Sequence, residues 1–109
     1  MLGCGGVGLS VVQGARLAGA GRIIAIDRRS TALERAVALG ATHVLEPPAD
    51  DENHEALAAA VRALTEGRGA DHAFEATGVA ALALLPLKLC RNGGNAVQVF
   101  TQSPRMWRP

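Results

Sequence analysis

Tyrosine is absent from the 109 residues, and the remaining aromatics are two Phe and one Trp. A core built without large rings must come from Ala, Val, Leu and Ile, which lets helices lie close against a sheet. No basic surface interleaved with aromatics is encoded, which sets nucleic acid aside as a partner. Long apolar runs are missing too. The longest, Val79 to Leu87, falls well short of the ~20 residues that cross a bilayer. The first residues also lack the basic stretch of a secretory leader, so no membrane partner is expected. Cysteine occurs only as Cys4 and Cys90, without C-x-x-C spacing. Such thiols suit the reducing cytosol, and a cytoplasmic location is the expectation.

What is present describes one globular domain. Hydrophobic residues make up 49% and charged residues 19%, a balance unlike that of disordered chains. A chain this long buries roughly two-thirds of the surface it exposes when unfolded. The formal net charge is +1, but it is spread unevenly. Residues 1–45 set five Arg against Asp27 and Glu34, residues 46–75 set eight acids against Arg62 and Arg68, and residues 76–109 carry only cations.

Apolar runs and helical periods alternate along the chain. Met1-Leu2 reads as a strand end, followed by glycines and a helix from about Val7 to Leu17. Arg22 to Ile26 is a wholly apolar strand after its first residue, of the type buried on both faces of a parallel sheet. Thr31 and Glu34 have capping-box spacing, and the helix they would open carries Leu33, Val37 and Leu39 inward and stops at Gly40. Thr42 to Leu45 is a third strand. Acids at Asp50, Asp51, Glu52 and Glu55 gather where a helix N-terminus favours them, ahead of Leu57, Val61 and Leu64 at helical spacing. Asp71 to Glu75 is a fourth strand. Val79 to Leu89 is a helix that Pro86 should kink or split. Gly93-Gly94 then turns into a fifth strand, Ala96 to Phe100. This alternation predicts an α/β fold, a doubly wound parallel sheet.

Gly3-Cys4-Gly5-Gly6-Val7-Gly8 matches G-x-G-x-x-G at a strand–helix junction. In that motif the first glycine permits a tight turn, the second lets a pyrophosphate approach the backbone, and the third lets helix and strand pack closely. The helix end adds unpaired amides and the positive end of its dipole. Asp27 closes the next strand, where a carboxylate accepts hydrogen bonds from an adenosine ribose; its competing role is to cap the following helix. A 2′-phosphate would meet repulsion from Asp27, which favours NAD over NADP, although Arg28 and Arg29 supply guanidinium groups that pair with phosphate.

Three segments, GCGGVGLSVVQGARLAGAGRIIAIDRR, LGATHVLEP and GRGADHAFEATG, together with Gly93-Gly94, resemble the cofactor domain of zinc-type medium-chain alcohol dehydrogenases. The resemblance covers about residues 1–100. It implies a Rossmann domain in which Gly3, Gly5, Gly6, Val7 and Gly8 hold the NAD pyrophosphate, Asp27 the adenosine ribose, and Arg28 and Thr77 flank the adenine. The sequence departs from the family at Ala32, where a Lys or Arg usually reaches the ribose, and at Phe100, where a Gly usually lets nicotinamide lie on the backbone. It also holds only Met1 and Leu2 of the first strand and lacks the sixth strand and the zinc-bearing catalytic domain. Residues 1–100 are therefore expected to form the dinucleotide-binding domain and 101–109 an unstructured tail. The chain alone is expected to be inactive, with zinc confined to the missing domain.

Other chemistry-bearing residues suggest no second site. Cys4 reads as loop variation and Cys90 as a small core residue. His43, His54 and His72 share no ligand spacing, and no metal set is expected. No G-x-S-x-G or Walker lysine occurs. A standalone nucleotide-binding or sensing module and a decayed, non-functional fragment remain the alternatives. Pairing with a second copy through an exposed sheet edge is a further expectation.

Overall fold

A computed structural model of the chain describes residues 1–99. The elements run α1 (Gly6–Leu17), β1 (Ile24–Ile26), α2 (Ser30–Leu39), β2 (His43–Leu45), α3 (Glu55–Leu64), β3 (Ala70–Glu75), a 3₁₀ turn (Ala80–Leu82), α4 (Leu85–Leu89) and β4 (Cys90–Gln98). β1 pairs with β2 and β3 with β4, both in parallel. Leu2 joins the two halves by parallel bridges to Ile26 and Glu75. The spatial order is therefore β2, β1, Leu2, β3, β4, the parallel α/β arrangement expected from the alternation.

Strand alternation sends neighbouring side chains to opposite faces, and the core is accordingly double. Ile26, Leu2 and Ala73 pack against Leu57, Ala58 and Val61 of α3 and Leu85 and Leu89 of α4. Ile23 and Ala25 pack against Val12 of α1 and Ala32, Leu33 and Ala36 of α2. Helices thus cover both faces of the sheet, which is why β1 carries no polar residue.

Several local expectations need correction. The Thr31–Glu34 capping box does not form. α2 begins at Ser30 with Arg29 as its N-cap and no side-chain cap, because Asp27 takes the Arg29 amide (2.8 Å). Val37 is exposed while Ala32 and Ala36 are buried, so α2 turns its alanines inward for a close approach. Arg22 lies outside β1, where it donates to the Leu64 carbonyl at 2.8 Å. The last strand starts at Cys90 rather than Ala96, and its register against β3 shifts between Ala70 and His72. Gly94 sits in that irregular stretch, where a Cβ would meet the Asp71 carbonyl oxygen at 2.7 Å. The segment before it divides as expected of Pro86, which lies in the first turn of α4. Phe100 and residues 101–109 lie outside the described residues.

The acids before α3 act as their position suggests. Asp51 accepts from the Ala56 and Leu57 amides, each at 2.9 Å. The bond from Ala56 leads the causes that hold its carboxyl below the usual range. Lys88 then ties this helix start to α4, donating to Glu55 and to the Asn53 carbonyl, both at 2.6 Å.

Candidate cofactor site

The glycine loop is shaped by three different steric demands. Gly8 is buried in α1, and a Cβ there would lie 1.7 Å from the Gly3 carbonyl oxygen; no side chain fits. Gly3 has φ +87°, and its Cβ position lies 3.0 Å from both the Thr77 amide nitrogen and Cγ2. At Gly5 and Gly6 a Cβ would meet nothing within 4 Å. So two glycines close the loop against protein, and two leave open space above it.

That open space faces the start of α1. The first amide to bond within this helix is that of Leu9, which donates to the Gly5 carbonyl at 2.9 Å. The amides of Gly6, Val7 and Gly8 precede it and belong to the set that a helix start leaves without intrahelical partners. Gly5, the N-cap, supplies no side-chain cap. Amides, the dipole end and free volume coincide, which is the arrangement that takes a phosphate.

Asp27 follows β1 and is held beside the loop. Oδ2 accepts from the Cys4 amide at 2.9 Å and from Arg29 Nη2 at 3.2 Å. Oδ1 accepts from the Arg29 amide at 2.8 Å and from Arg29 Nε at 3.2 Å. Burial opposes ionisation, but the bonds from Arg29 and Cys4 outweigh it and hold the carboxyl at about 2. Asp27 is therefore an ionised, oriented acceptor, and it also braces the turn into α2. Cys4 itself is buried, and burial pushes its thiol up, so it is not primed as a nucleophile.

Thr77 comes from the opposite side, after β3. Glu75 is fully buried, and its Oε1 accepts from the Thr77 amide at 2.7 Å and from the Thr77 hydroxyl. Thr77 Oγ1 in turn accepts from the Val79 amide at 3.1 Å. This chain of bonds sets the Thr77 turn against Gly3. Among the described residues Glu75 Oε2 has no partner.

The structure thus sets Asp27 and Thr77 beside the loop of Gly3, Gly5, Gly6, Val7 and Gly8, through the Cys4 amide on Asp27 and the close approach of Gly3 to Thr77. Arg28 is exposed on the adjoining turn and makes no ion pair among the described residues. Sequence reasoning missed two participants. Arg29 was weighed only as a phosphate partner, and its pairing with Asp27 needs the turn geometry. Glu75 had a visible signal, an acid following Ala73-Phe74 at the end of a strand, but its burial did not show.

A sizeable groove lies elsewhere. A groove of about 760 Å³ runs between β1 and β3 at the amino ends of the strands, lined by residues such as Ile24, Val61, Ala70 and His72. Neither Asp27 nor Gly5, Gly6 or Thr77 lines it. Ligands of open parallel sheets bind outside the carboxyl ends of the strands, so the glycine loop, and not this groove, is the candidate site. Among the described residues no three His, Cys, Asp or Glu side chains converge as a metal site, and no helix is long and apolar enough to cross a membrane.

Known proteins share this sequence pattern and fold. The family model described as zinc-binding dehydrogenase matches residues 6–104. The "CYP enzymes assisting alcohol dehydrogenase" of Catharanthus roseus is 39% identical over 100 residues, 91% of this chain and 26% of that protein. The alcohol dehydrogenase TADH from Thermus sp. ATN1 superposes with a TM-score of 0.77 at 38% identity, covering 94% of this chain and 28% of that one. An alcohol dehydrogenase zinc-binding domain protein from Burkholderia ambifaria gives 0.81 at 34% identity, covering 99% and 27%. The chain spans about a quarter of the length of these relatives. With its parallel α/β sheet, its glycine loop and a match across most of its length, the chain belongs to the zinc-binding dehydrogenase family of medium-chain alcohol dehydrogenases.

Proposed function

We propose that this chain is the NAD-binding portion of a zinc-type alcohol dehydrogenase and does not turn over alcohol by itself. The observation that carries the proposal is the open space above Gly5 and Gly6 at the start of α1, with ionised Asp27 beside it. The amides of Gly6, Val7 and Gly8 would take the pyrophosphate, with Gly3 and Gly5 leaving the backbone free to approach it. Asp27 would accept from the ribose hydroxyls, and Arg28 and Thr77 would flank the adenine. When bound, NAD supplies a hydride acceptor; this chain's residues bind and orient it.

Zinc fits this chain poorly. A catalytic zinc takes three protein ligands, and the described residues bring no such set together, so no step is assigned to the metal here. Free Cys4 and Cys90 accord with a cytoplasmic setting. Pairing of two copies through a sheet edge belongs to the same proposal and is read by sedimentation.

Isothermal titration with NAD tests the binding claim. Saturable binding that Asp27→Ala weakens by roughly 10- to 100-fold is expected, from the loss of hydrogen bonds to a charged group. Absence of binding at millimolar NAD, or turnover of alcohol by the isolated chain with zinc, would overturn it.

A further inference from the structure

Thr77 carries a hydroxyl and a methyl on one carbon, and the two meet different neighbours. The hydroxyl donates to Glu75 Oε1 and accepts from the Val79 amide at 3.1 Å. The Thr77 amide donates to the same Glu75 oxygen at 2.7 Å. A β-branched side chain has few staggered positions to choose from, and these bonds select one. The methyl is then turned towards Gly3, whose Cβ position lies 3.0 Å from Thr77 Cγ2.

Gly3 is where the chain leaves the sheet. Its amide donates to the Ile26 carbonyl at 2.9 Å, and Leu2 before it is tied to Phe74 and Ala76. The next amide, that of Cys4, is taken by Asp27. The loop is thus gripped by Asp27 on one side and abutted by Thr77 on the other, just ahead of the amides of Gly6, Val7 and Gly8.

We propose that Glu75 is a positioning residue for the dinucleotide: it locks Thr77 so that the methyl holds Gly3, and with it the pyrophosphate loop, in the binding shape. The inference rests on the NAD-binding reading above. Glu75 has no exposed surface with which to meet a ligand, so it acts through Thr77. One acceptor oxygen does this work. Oε2 has no partner among the described residues, so the amide that replaces it in Glu75→Gln breaks no bond. Glu75→Ala removes the acceptor and frees Thr77 to rotate. Gly3 has φ +87°, and glycine moves between positive and negative φ at little cost. Without its neighbour the loop samples other shapes, and a loop that is competent a tenth of the time binds about 10-fold more weakly.

Titration of the wild type, Glu75→Ala, Glu75→Gln and Glu75→Asp with NAD tests the proposal, at a temperature where each protein is folded. Glu75→Ala should raise the NAD dissociation constant about 10-fold, and Glu75→Gln should stay within about 2-fold of the wild type. Glu75→Asp, one methylene shorter, withdraws the oxygen from Thr77 and should weaken binding as Glu75→Ala does; it carries the test if Glu75→Ala does not fold. A merely structural role would lower the urea midpoint and leave the affinity of the folded protein unchanged, and that result overturns the inference. So would Glu75→Gln binding as weakly as Glu75→Ala, since the bond to Thr77 would then not be the essential feature. If the wild type binds no NAD, the NAD-binding reading itself fails, an outcome distinct from wild-type binding that Glu75→Ala leaves unmoved.

Discussion

Two acids stand at the carboxyl ends of the two strands that Leu2 bridges, and they are held in opposite ways. Asp27, just beyond β1, lies beside the glycine loop and meets four donors, two of them on an exposed guanidinium. Glu75, the last residue of β3, is fully buried, and the partners of its Oε1 belong to Thr77. The first acid has replaceable partners, the second has local and enclosed ones. Only the first can exchange an internal donor for a ligand hydroxyl. The second fixes the wall against which the glycine loop closes. On the proposed reading Asp27 binds and Glu75 braces, and the two are told apart by who their donors are.

The sharpest way to break the comparison is at the loop between the two acids. Gly8→Ala places a Cβ into the Gly3 carbonyl, a backbone clash that costs about 3 kcal/mol or more. A large loss of thermal midpoint together with loss of NAD binding is expected. Glu75→Ala comes next. It leaves the Thr77 amide and hydroxyl without their acceptor, at about 1–3 kcal/mol. Glu75→Gln, which keeps an acceptor oxygen, should recover much of that, as read by urea unfolding.

Asp27→Asn sharpens the contrast through pH. The folded carboxyl sits at about 2, below the ordinary aspartate value of 3.8. Its contribution to stability is therefore complete above pH ~4 and is lost as pH falls from there towards 2. The Asn variant should show a shallower fall in unfolding free energy across that window. Some slope should persist, since Asp51, Glu55 and Asp71 are also held low, by the Ala56 amide, Lys88 and Arg91 respectively as the leading causes. The smallest effect belongs to Arg29→Ala, whose thermal midpoint should barely move, since its ion pair with Asp27 is made by a largely exposed guanidinium.

The sequence displayed the glycine spacing plainly because Gly3 and Gly8 answer backbone constraints that no other residue meets. Element order was equally legible, since apolar runs at β1 and helical spacing at α3 repeat with the right periods. Boundaries were less so. Thr31 and Glu34 have the spacing of a capping box, yet Asp27 takes the Arg29 amide and α2 starts a residue earlier than Thr31. Val37 looks like a core residue by spacing, but close packing selected Ala32 and Ala36 instead. β4 extends back to Cys90 across an irregular register, which turn-like glycines concealed. At the site, Arg29 and Glu75 escaped notice because their roles depend on which atoms a turn brings within 3 Å, and periodicity carries no such information.

Amide chemical shifts recorded with and without NAD test the central claim most directly. The account predicts that shifts concentrate at Gly6, Val7 and Gly8, with the Cys4 and Arg29 amides responding as Asp27 changes partners. Unperturbed amides in that loop at saturating NAD, or shifts confined to the groove between β1 and β3, would contradict it.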